Sequence, residues 1–346
     1  MENKYFNTNK LKEILNIPSP TGYTKDILEY IQRELTQMNI EYKVSNKGAL
    51  LATIKGNDSS KCITFSAHMD TLGAIVSQIK CNTRLSINQI GGYMINSVEG
   101  ENVIIHTRNG KKYEGTLQTI KPSVHIYGND DRELKRDCKN YEIIIDEQLH
   151  KVEDVYDLGI DVGDIVSFDT RTRVTSSGFI KSRYLDDKAS VAVILDVIQE
   201  IKENNIKPKY DINFLFSNYE EVGHGASSFI PKNTIEFIAV DMGCPGEKQN
   251  SSEYDVCICT KDSNGPYDYE LINKFIHICT ERNINYKLDV YPNYGSDATA
   301  ALKSEMDAKF ALIGPGIFAS HGYERTHISS IIETKKLIIE YIKYIL

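Results

Sequence analysis

Acidic and imidazole side chains follow four apolar segments that have the length and composition of buried strands. They are His68 and Asp70, Glu220 and Glu221, Asp241, and a later group around His327. Because ligands of open α/β sheets bind beyond the carboxyl ends of the strands, we expect these groups to converge. Imidazole and carboxylate are the usual ligands of zinc-like ions where thiolate is absent. Two such ions, about 3.5–4 Å apart, need a bridging ligand and share a hydroxide nucleophile. The pattern therefore favours a site for two divalent ions.

The segments that must position these groups alternate between helix and strand. Apolar residues at helical spacing predict helices over residues 25–38, 189–201, 271–279 and 334–346. Short apolar runs predict strands over residues 50–54, 62–65, 212–216, 237–240 and 310–313. Helices that alternate with buried strands imply a largely parallel sheet covered on both faces. The predicted fold class is therefore α/β, a three-layer, mostly parallel sheet with helices on both faces.

Residues 73–174 have a different pattern, in which short β-type segments alternate with turn signals. Asn109-Gly110 lies between two such segments and is a strong hairpin signal. No long helical period occurs here. We therefore predict an inserted β-rich, barrel-like domain over residues 73–174, which divides the main domain into residues 1–72 and 175–346.

Composition and charge exclude several classes of partner. The 346 residues carry 48 acidic and 40 basic side chains, for a net charge of −8. This argues against nucleic acid or an anionic membrane surface as a partner, since both require a basic surface. Nowhere do 18 apolar residues run together, so no membrane span is predicted.

The N-terminal segment and the cysteines indicate a compartment. Residues 1–12 are polar and charged and lack the apolar stretch of a signal peptide. The seven cysteines are scattered and form no Cys-x-x-Cys pair. Reduced thiols and a cytoplasmic location are therefore expected.

Five segments resemble, in order, the successive motifs of metallopeptidase family 42, the glutamyl and tetrahedral aminopeptidases with two metals per active site. They are Ser66-Ala67-His68-Met69-Asp70, Tyr184-Leu185-Asp186-Asp187-Lys188, Asn218-Tyr219-Glu220-Glu221-Val222-Gly223, Ala239-Val240-Asp241 and Arg325-Thr326-His327. The resemblance covers nearly the whole chain, including the β-rich insertion after the His-x-Asp motif. It implies a dinuclear metal-dependent aminopeptidase that releases N-terminal residues from short peptides.

The resemblance also implies which residues form the metal centre. The ligands of two divalent ions, zinc or cobalt with manganese as a third option, would be His68, Asp186, Glu221, Asp241 and His327. Asp186 would bridge the two ions, with Asp187 as the alternative bridge. Asp70 would hold the imidazole of His68 in the required tautomer. Glu220 would act as the general base on the attacking water.

Two further features remain open at this stage. His321, six residues before His327, is a rival metal ligand. Gly295-Ser296-Asp297-Ala298 is similar to a Gly-Thr-Asp-Ala segment of the family, which would shape the substrate pocket. A turn followed by a helix cap explains that segment almost as well.

Other activities and the assembly are also to be considered. A related metal-dependent deacylase or carboxypeptidase would use the same site but would not require a free N-terminus. A glucanase-type glycosidase would use two carboxylates and no metal, and a non-catalytic binding protein would have kept only the fold. Family members form dimers that build a hollow dodecamer, so the resemblance implies a homo-oligomer whose β-rich domain mediates contacts.

Overall fold

The structure is a computed structural model that describes residues 6–345. The start of the polar N-terminal segment, residues 1–5, and Leu346, the last residue of the predicted closing helix, lie outside that range. The helices are α1 (Thr8–Asn16), α2 (Lys25–Gln37), α3 (Val124–Tyr127), α4 (Asn129–Arg132), α5 (Val152–Leu158), α6 (Leu185–Glu203), α7 (Tyr269–Arg282), α8 (Asp297–Leu302) and α9 (Ile328–Tyr344). The strands are β1 (Glu41–Val44), β2 (Leu50–Ile54), β3 (Asp58–His68), β4 (Gly73–Ile79), β5 (Leu85–Ile90), β6 (Asn102–His106), β7 (Lys112–Thr119), β8 (Tyr141–Ile145), β9 (Ile165–Phe168), β10 (Arg173–Val174), β11 (Phe179–Ser182), β12 (Tyr210–Ser217), β13 (Thr234–Val240), β14 (Val256–Asp262), β15 (Gly265–Pro266), β16 (Tyr286–Val290), β17 (Lys309–Pro315) and β18 (Glu324–His327).

The described chain divides into two compact units. The first contains the residues up to Asp70 and those from Arg171 onward, and the second is Thr71–Thr170. These limits lie within a few residues of the boundaries expected from the sequence.

The first unit is built on a mixed sheet with the strand order β1-β2-β12-β3-β13-β17-β14-β15, and β16 pairs with β14. Its four central strands, β12, β3, β13 and β17, are parallel, and the pairings that flank them are antiparallel. Central parallel strands are covered on both faces, which is why Phe214, Leu215 and Phe216 are all fully buried. The predicted α/β fold is confirmed, with most of the parallel pairing concentrated where the site residues follow the strands.

Helix α6 is the structural support of the site. It packs against α1, α9 and β3, and every residue from Leu185 to Leu195 is buried. Because the first three turns of α6 are buried on all sides, its first turn, with Asp186 and Asp187, is held from several directions. Among residues 6–345, no helix is long and apolar enough to cross a membrane.

The second unit is a closed barrel of six strands in the order β4-β5-β8-β7-β6-β9. It has its own apolar core, which includes Val76, Ile105, Leu117 and Ile143. Strands β6 and β7 form the hairpin predicted from Asn109-Gly110. The inserted β-rich, barrel-like domain is therefore confirmed, with the short helices α3, α4 and α5 in its connections.

Candidate metal centre

Three central parallel strands end at one edge of the sheet, and the expected site residues follow those ends. His68 is the last residue of β3, Asp241 directly follows β13, and Glu220 and Glu221 follow β12 after a short turn. Since Ser217 at the end of β12 pairs with His68, the two strand ends are level. The polar groups therefore meet, as expected for the carboxyl edge of a parallel sheet.

Asp186, at the start of α6, lies between two histidines. Its Oδ1 is 3.1 Å from Nε2 of His68, and its Oδ2 is 3.4 Å from Nε2 of His321. The next residue, Asp187, accepts the backbone N–H of His68 through Oδ2 at 3.2 Å. One carboxylate thus faces two imidazoles with different oxygens.

The adjacent glutamates face different histidines. They lie on a single 3-10 turn that follows Tyr219, whose backbone is left-handed with φ 72°. Oε2 of Glu220 is 3.6 Å from Nε2 of His68, whereas Oε2 of Glu221 is 3.5 Å from Nε2 of His321. The turn therefore gives two neighbouring carboxylates separate positions and separate chemical environments.

Asp70 contacts His68 through its backbone carbonyl and the glutamate turn through its carboxylate. Its carbonyl oxygen, not its carboxylate, is the nearer partner of the His68 imidazole, at 2.9 Å from Nδ1 against 3.8 Å for Oδ1. The carboxylate accepts the hydroxyl of Thr21 at 2.7 Å and the backbone N–H groups of Glu220 and Glu221 at 3.2 and 3.4 Å. Asp70 thereby holds both the ring of His68 and the glutamate turn.

His327, expected from the sequence to be a ligand, is not brought to this cluster. Its Nε2 is 2.9 Å from the carbonyl of Ser177 and its Nδ1 is 2.8 Å from the hydroxyl of Ser329. The ring packs edge-on against Phe179, with Tyr254 beside it. The physical reason is that His327 is the N-cap of α9, so its side chain is engaged in starting that helix.

His321 occupies the place that the sequence analysis gave to His327. It lies in the connection that follows β17, another of the central parallel strands. The signal that identifies it is the rule that ligand groups follow the carboxyl ends of parallel strands. His321 fits that rule, whereas His327 is the last residue of the short strand β18 in a separate three-stranded sheet.

The cluster concentrates negative charge in a buried place. Burial, with the charge of Asp186, raises the pKa of Glu221 to about 8 and that of Asp241 to about 7. Burial also raises the pKa of Glu220 well above its ordinary value. Burial opposes ionisation of Asp186 as well, but its hydrogen bonds to His321 and His68 outweigh this and lower its pKa. Close carboxylates in a dry site carry unfavourable energy that a cation would relieve.

The donor set fits divalent cations. Oε1 of Glu221 and Oδ1 of Asp187 are buried and have no hydrogen-bond partner among the described residues, which is costly for an ionised oxygen. Ligand atoms of two groups lie within 4.8 Å of one another: His68, Asp187 and Asp241 in one, and His68, Asp186 and Glu221 in the other. Imidazole and carboxylate oxygen together suit zinc, cobalt and manganese.

A cavity of ≈ 480 Å³ opens beside the cluster. Its lining includes carboxylates and His321 of the cluster, neutral polar groups such as Asn264, Asn293 and Ser296, and Lys303. Lys303 is exposed and forms no ion pair with any residue that the structure describes. The described lining therefore combines the acidic cluster with a single ammonium group.

The Gly295–Asp297 segment has two distinct contributions. Gly295 and Ser296 line the cavity, and Ser296 also caps α8. Asp297 is buried and accepts the backbone N–H of Ala226 at 2.8 Å through Oδ1. The cavity-shaping and helix-capping interpretations both describe this segment, and Asp297 additionally braces the chain just beyond the glutamate turn.

Comparison with known proteins connects this geometry to a family. The model of the M42 glutamyl aminopeptidase family matches residues 48–337. The chain is 49% identical over 333 residues to YhfE of Bacillus subtilis (strain 168), and the match covers 96% of each chain.

Two solved structures share the fold. One is a TET aminopeptidase from the marine sediment archaeon Thaumarchaeota archaeon SCGC AB-539-E09, with a TM-score of 0.88 and 20% identity over 97% of this chain and 96% of that one. The other is the TET1 peptidase of Pyrococcus horikoshii, with a TM-score of 0.83 and 23% identity over 96% and 98% of the chains.

The matched region includes all the cluster residues, from His68 to His321. The resemblance inferred from the motifs is thus confirmed by a family model, by a relative that spans the chain and by the fold. Carrying a His and carboxylate cluster at its sheet edge, this chain belongs to the M42 glutamyl aminopeptidase family and is a metal-dependent peptide hydrolase.

Proposed function

We propose that this protein is a dinuclear aminopeptidase that releases N-terminal residues from short peptides, with Glu220 as the general base. The observation that carries the proposal is the position of Asp186, whose two oxygens face the imidazoles of His68 and His321. Each imidazole faces a different oxygen of the same carboxylate, so each is available to a different ion. A bridging carboxylate between two imidazoles is what two closely spaced ions require.

Two ions would be held by two sets of residues that share Asp186. His68 and Asp241 would complete one set, and Glu221 and His321 would complete the other. Asp187 supports the first set through the backbone N–H of His68 and remains the alternative bridge. Zinc or cobalt is the preferred pair, with manganese also compatible. When bound, the ions supply Lewis acidity to the peptide carbonyl and make water more acidic.

Glu220 is the residue placed to move the proton. Its carboxylate lines the cavity and lies beside the first ligand set, 3.6 Å from Nε2 of His68. Burial raises the pKa of Glu220, which favours uptake of a proton by this carboxylate. Glu220 accepts the proton of the attacking water and then delivers it to the leaving amine. The hydrogen bond from its backbone to Asp70 keeps the side chain in place.

The free N-terminus of the peptide is recognised by the acidic groups that line the cavity. A protonated α-amine carries a positive charge that carboxylates stabilise, whereas an acetylated N-terminus does not. The aminopeptidase proposal therefore differs from the deacylase alternative in a measurable way. Peptides with a free amine are substrates, and their acetylated counterparts are not.

Assembly and location form a second part of the proposal. The TET1 peptidase of Pyrococcus horikoshii can assemble into a tetrahedron or a large octahedral shell, and we propose that this chain forms a homo-oligomer of the same kind, a dodecamer built from dimers. The seven cysteines are unpaired, which fits the reducing cytoplasm. A solution mass equal to one chain would contradict the assembly.

The central experiment compares Glu220→Gln with Glu247→Gln, a change at an exposed glutamate outside the cavity. Chelated protein is reloaded with zinc, cobalt or manganese, and both metal content and hydrolysis of short peptides are measured. We expect Glu220→Gln to keep its metal and to lose roughly 10²- to 10⁴-fold in kcat. The Glu247 variant should behave as wild type. Near-wild-type hydrolysis by metal-loaded Glu220→Gln would contradict the role of Glu220.

A further inference from the structure

One buried carboxylate joins the two segments that carry Asp186 and His321. Glu324 is 2% exposed. Its Oε2 accepts the backbone N–H of Asp186 at 3.1 Å, and its Oε1 accepts the backbone N–H of His321, also at 3.1 Å. Each oxygen of Glu324 thus holds the main chain of one residue of the cluster.

Strand pairing places Glu324 between these segments. In the three-stranded sheet, Glu324 on β18 pairs with Ser182 on β11, the strand that leads into α6 and Asp186. His321 precedes Glu324 by three residues on the other side. The carboxylate therefore lies within hydrogen-bond distance of both segments.

The two segments need such a contact because their local conformations are unfavourable. Tyr184, which precedes α6, has φ 66°, and His321 has φ 61°. Side chains other than glycine rarely adopt this left-handed conformation. Local backbone preference does not favour this conformation at His321, and the hydrogen bond to Glu324 stabilises it.

The same device occurs on the opposite side of the cluster. Asp70 accepts the backbone N–H groups of Glu220 and Glu221, just as Glu324 accepts those of Asp186 and His321. The two buried carboxylates together fix the main chain of four of the residues that form the site.

We infer that Glu324 is a positioning residue that sets the separation of Asp186 and His321 and thereby the affinity for the ion between them. The inference rests on the proposed dinuclear centre. Because Glu324 acts through the backbone of other residues, it does not contact substrate. Residues that orient metal ligands typically change metal affinity about 10- to 100-fold when they are replaced.

Glu324→Gln is the informative substitution, because glutamine keeps the length of the side chain. Its amide has nearly the same shape as the carboxylate but offers only one acceptor oxygen, and its NH₂ group is placed against a backbone N–H. Glu324→Gln should therefore release either Asp186 or His321. Glu324→Asp keeps both acceptor oxygens on a shorter side chain and should be milder.

The matched control is Glu333→Gln. Glu333 lies in α9, is 7% exposed and accepts the backbone N–H of Asn285 at 3.1 Å. It is therefore a buried carboxylate that supports the main chain outside the cluster. Its replacement reports the general cost of losing such a contact.

In the experiment, metal-free full-length protein is titrated with Co²⁺. Visible absorption, the amount of bound metal and the heat of binding, from isothermal titration calorimetry, are measured. We expect the wild type to bind two ions, and Glu324→Gln to bind the weaker of them about 10- to 100-fold less tightly, with an altered cobalt spectrum. Glu333→Gln should bind both ions as the wild type does. Adding Glu324→Gln to His321→Ala should cause little further loss, because residues that act as one unit are not additive.

The results separate the inference from the function on which it rests. If the wild type binds two ions and Glu324→Gln binds them equally well with an unchanged spectrum, the positioning role is wrong, whatever happens to thermal stability. If the wild type binds fewer than two ions, the dinuclear proposal and the inference are both wrong. Should Glu324→Gln not fold, Glu324→Asp provides the same comparison, and wild-type affinity in that variant together with an unchanged spectrum overturns the inference.

Discussion

Nε2 of His321 lies 3.4 Å from Oδ2 of Asp186, although the two residues are far apart in the sequence. The opposite oxygen of Asp186 is already directed at His68. The contact thus completes a line of imidazole, carboxylate and imidazole across the carboxyl edge of the sheet. On this contact rests the proposal that the cluster holds two ions.

Replacing each of the two candidate histidines by glutamine tests this relationship. We expect His321→Gln to lower the affinity for one of two Co²⁺ ions by at least about tenfold, since an imidazole ligand is lost. His327→Gln should leave metal binding unchanged and lower only the thermal stability, by about 1 kcal/mol, because it weakens the cap of α9. Metal content after gel filtration and thermal unfolding measure the two effects. Loss of metal from the His327 variant alone would reverse the assignment.

Removing divalent ions should destabilise the protein. The buried carboxylates of Glu221 and Asp241 repel Asp186 in the metal-free state, and ions that bind only the folded state stabilise it by mass action. At a free concentration one hundred times Kd, this amounts to about 2.7 kcal/mol. Differential scanning calorimetry of chelated protein, with and without added zinc or cobalt, provides the measurement. A midpoint that does not rise with added metal would argue against binding at this cluster.

Lys303 should influence which N-terminal residues are preferred. It is the one lysine or arginine among the described residues that line the cavity, so Lys303→Glu reverses the only positive lysine or arginine charge of that lining. We expect the ratio of kcat/KM for glutamyl over lysyl 4-nitroanilides to fall roughly three- to tenfold, a modest change because an exposed charge is screened. These substrates have no C-terminal carboxylate, so the change reports on the side chain.

The control for Lys303→Glu is Lys232→Glu, an identical charge change at an exposed lysine that does not line the cavity. It should leave the substrate ratio unchanged. An equal shift in both variants would show that net charge, not the cavity wall, determines the ratio.

The barrel unit should lose stability in acid through Glu142. Burial raises the pKa of Glu142, but Lys80 at 2.8 Å and Arg84 outweigh it, so the pKa lies below the ordinary 4.5. A lowered pKa contributes stability above pH 4.5 that is lost as the pH falls through the folded-state value. Glu142→Gln should therefore cost about 1–3 kcal/mol at pH 7 and much less at pH 3.

Hydrogen exchange in residues 71–170 at pH 7, together with urea unfolding at pH 7 and pH 3, measures this effect. Glu114→Gln, at an exposed carboxyl group on β7, is the control and should change stability little at either pH. If the Glu142 variant loses the same amount of stability at both pH values, the loss would be due to packing and not to the ion pairs.

Much of the architecture follows from local patterns in the sequence. Apolar runs predicted the central strands, and the turn signals of the insertion predicted a separate β domain, because hydrophobic period and turn chemistry are local properties. The convergence of His68, Glu220, Glu221 and Asp241 followed from one rule about parallel strand ends. The antiparallel flanks of the sheet were not predicted, since pairing direction depends on contacts between distant segments.

The sequence by itself determined the ligand types, their order and the family, because these depend on residue identity and spacing. Only the tertiary structure shows that His321, and not His327, lies at the cluster, although the two histidines are close in the sequence. His321 is directed at Asp186 by a left-handed backbone held by Glu324, and His327 is drawn away by the cap of α9. His321 contacts Asp186, and His327 contacts the carbonyl of Ser177, only because the fold brings distant segments together. Such long-range contacts leave no periodic signal in the sequence.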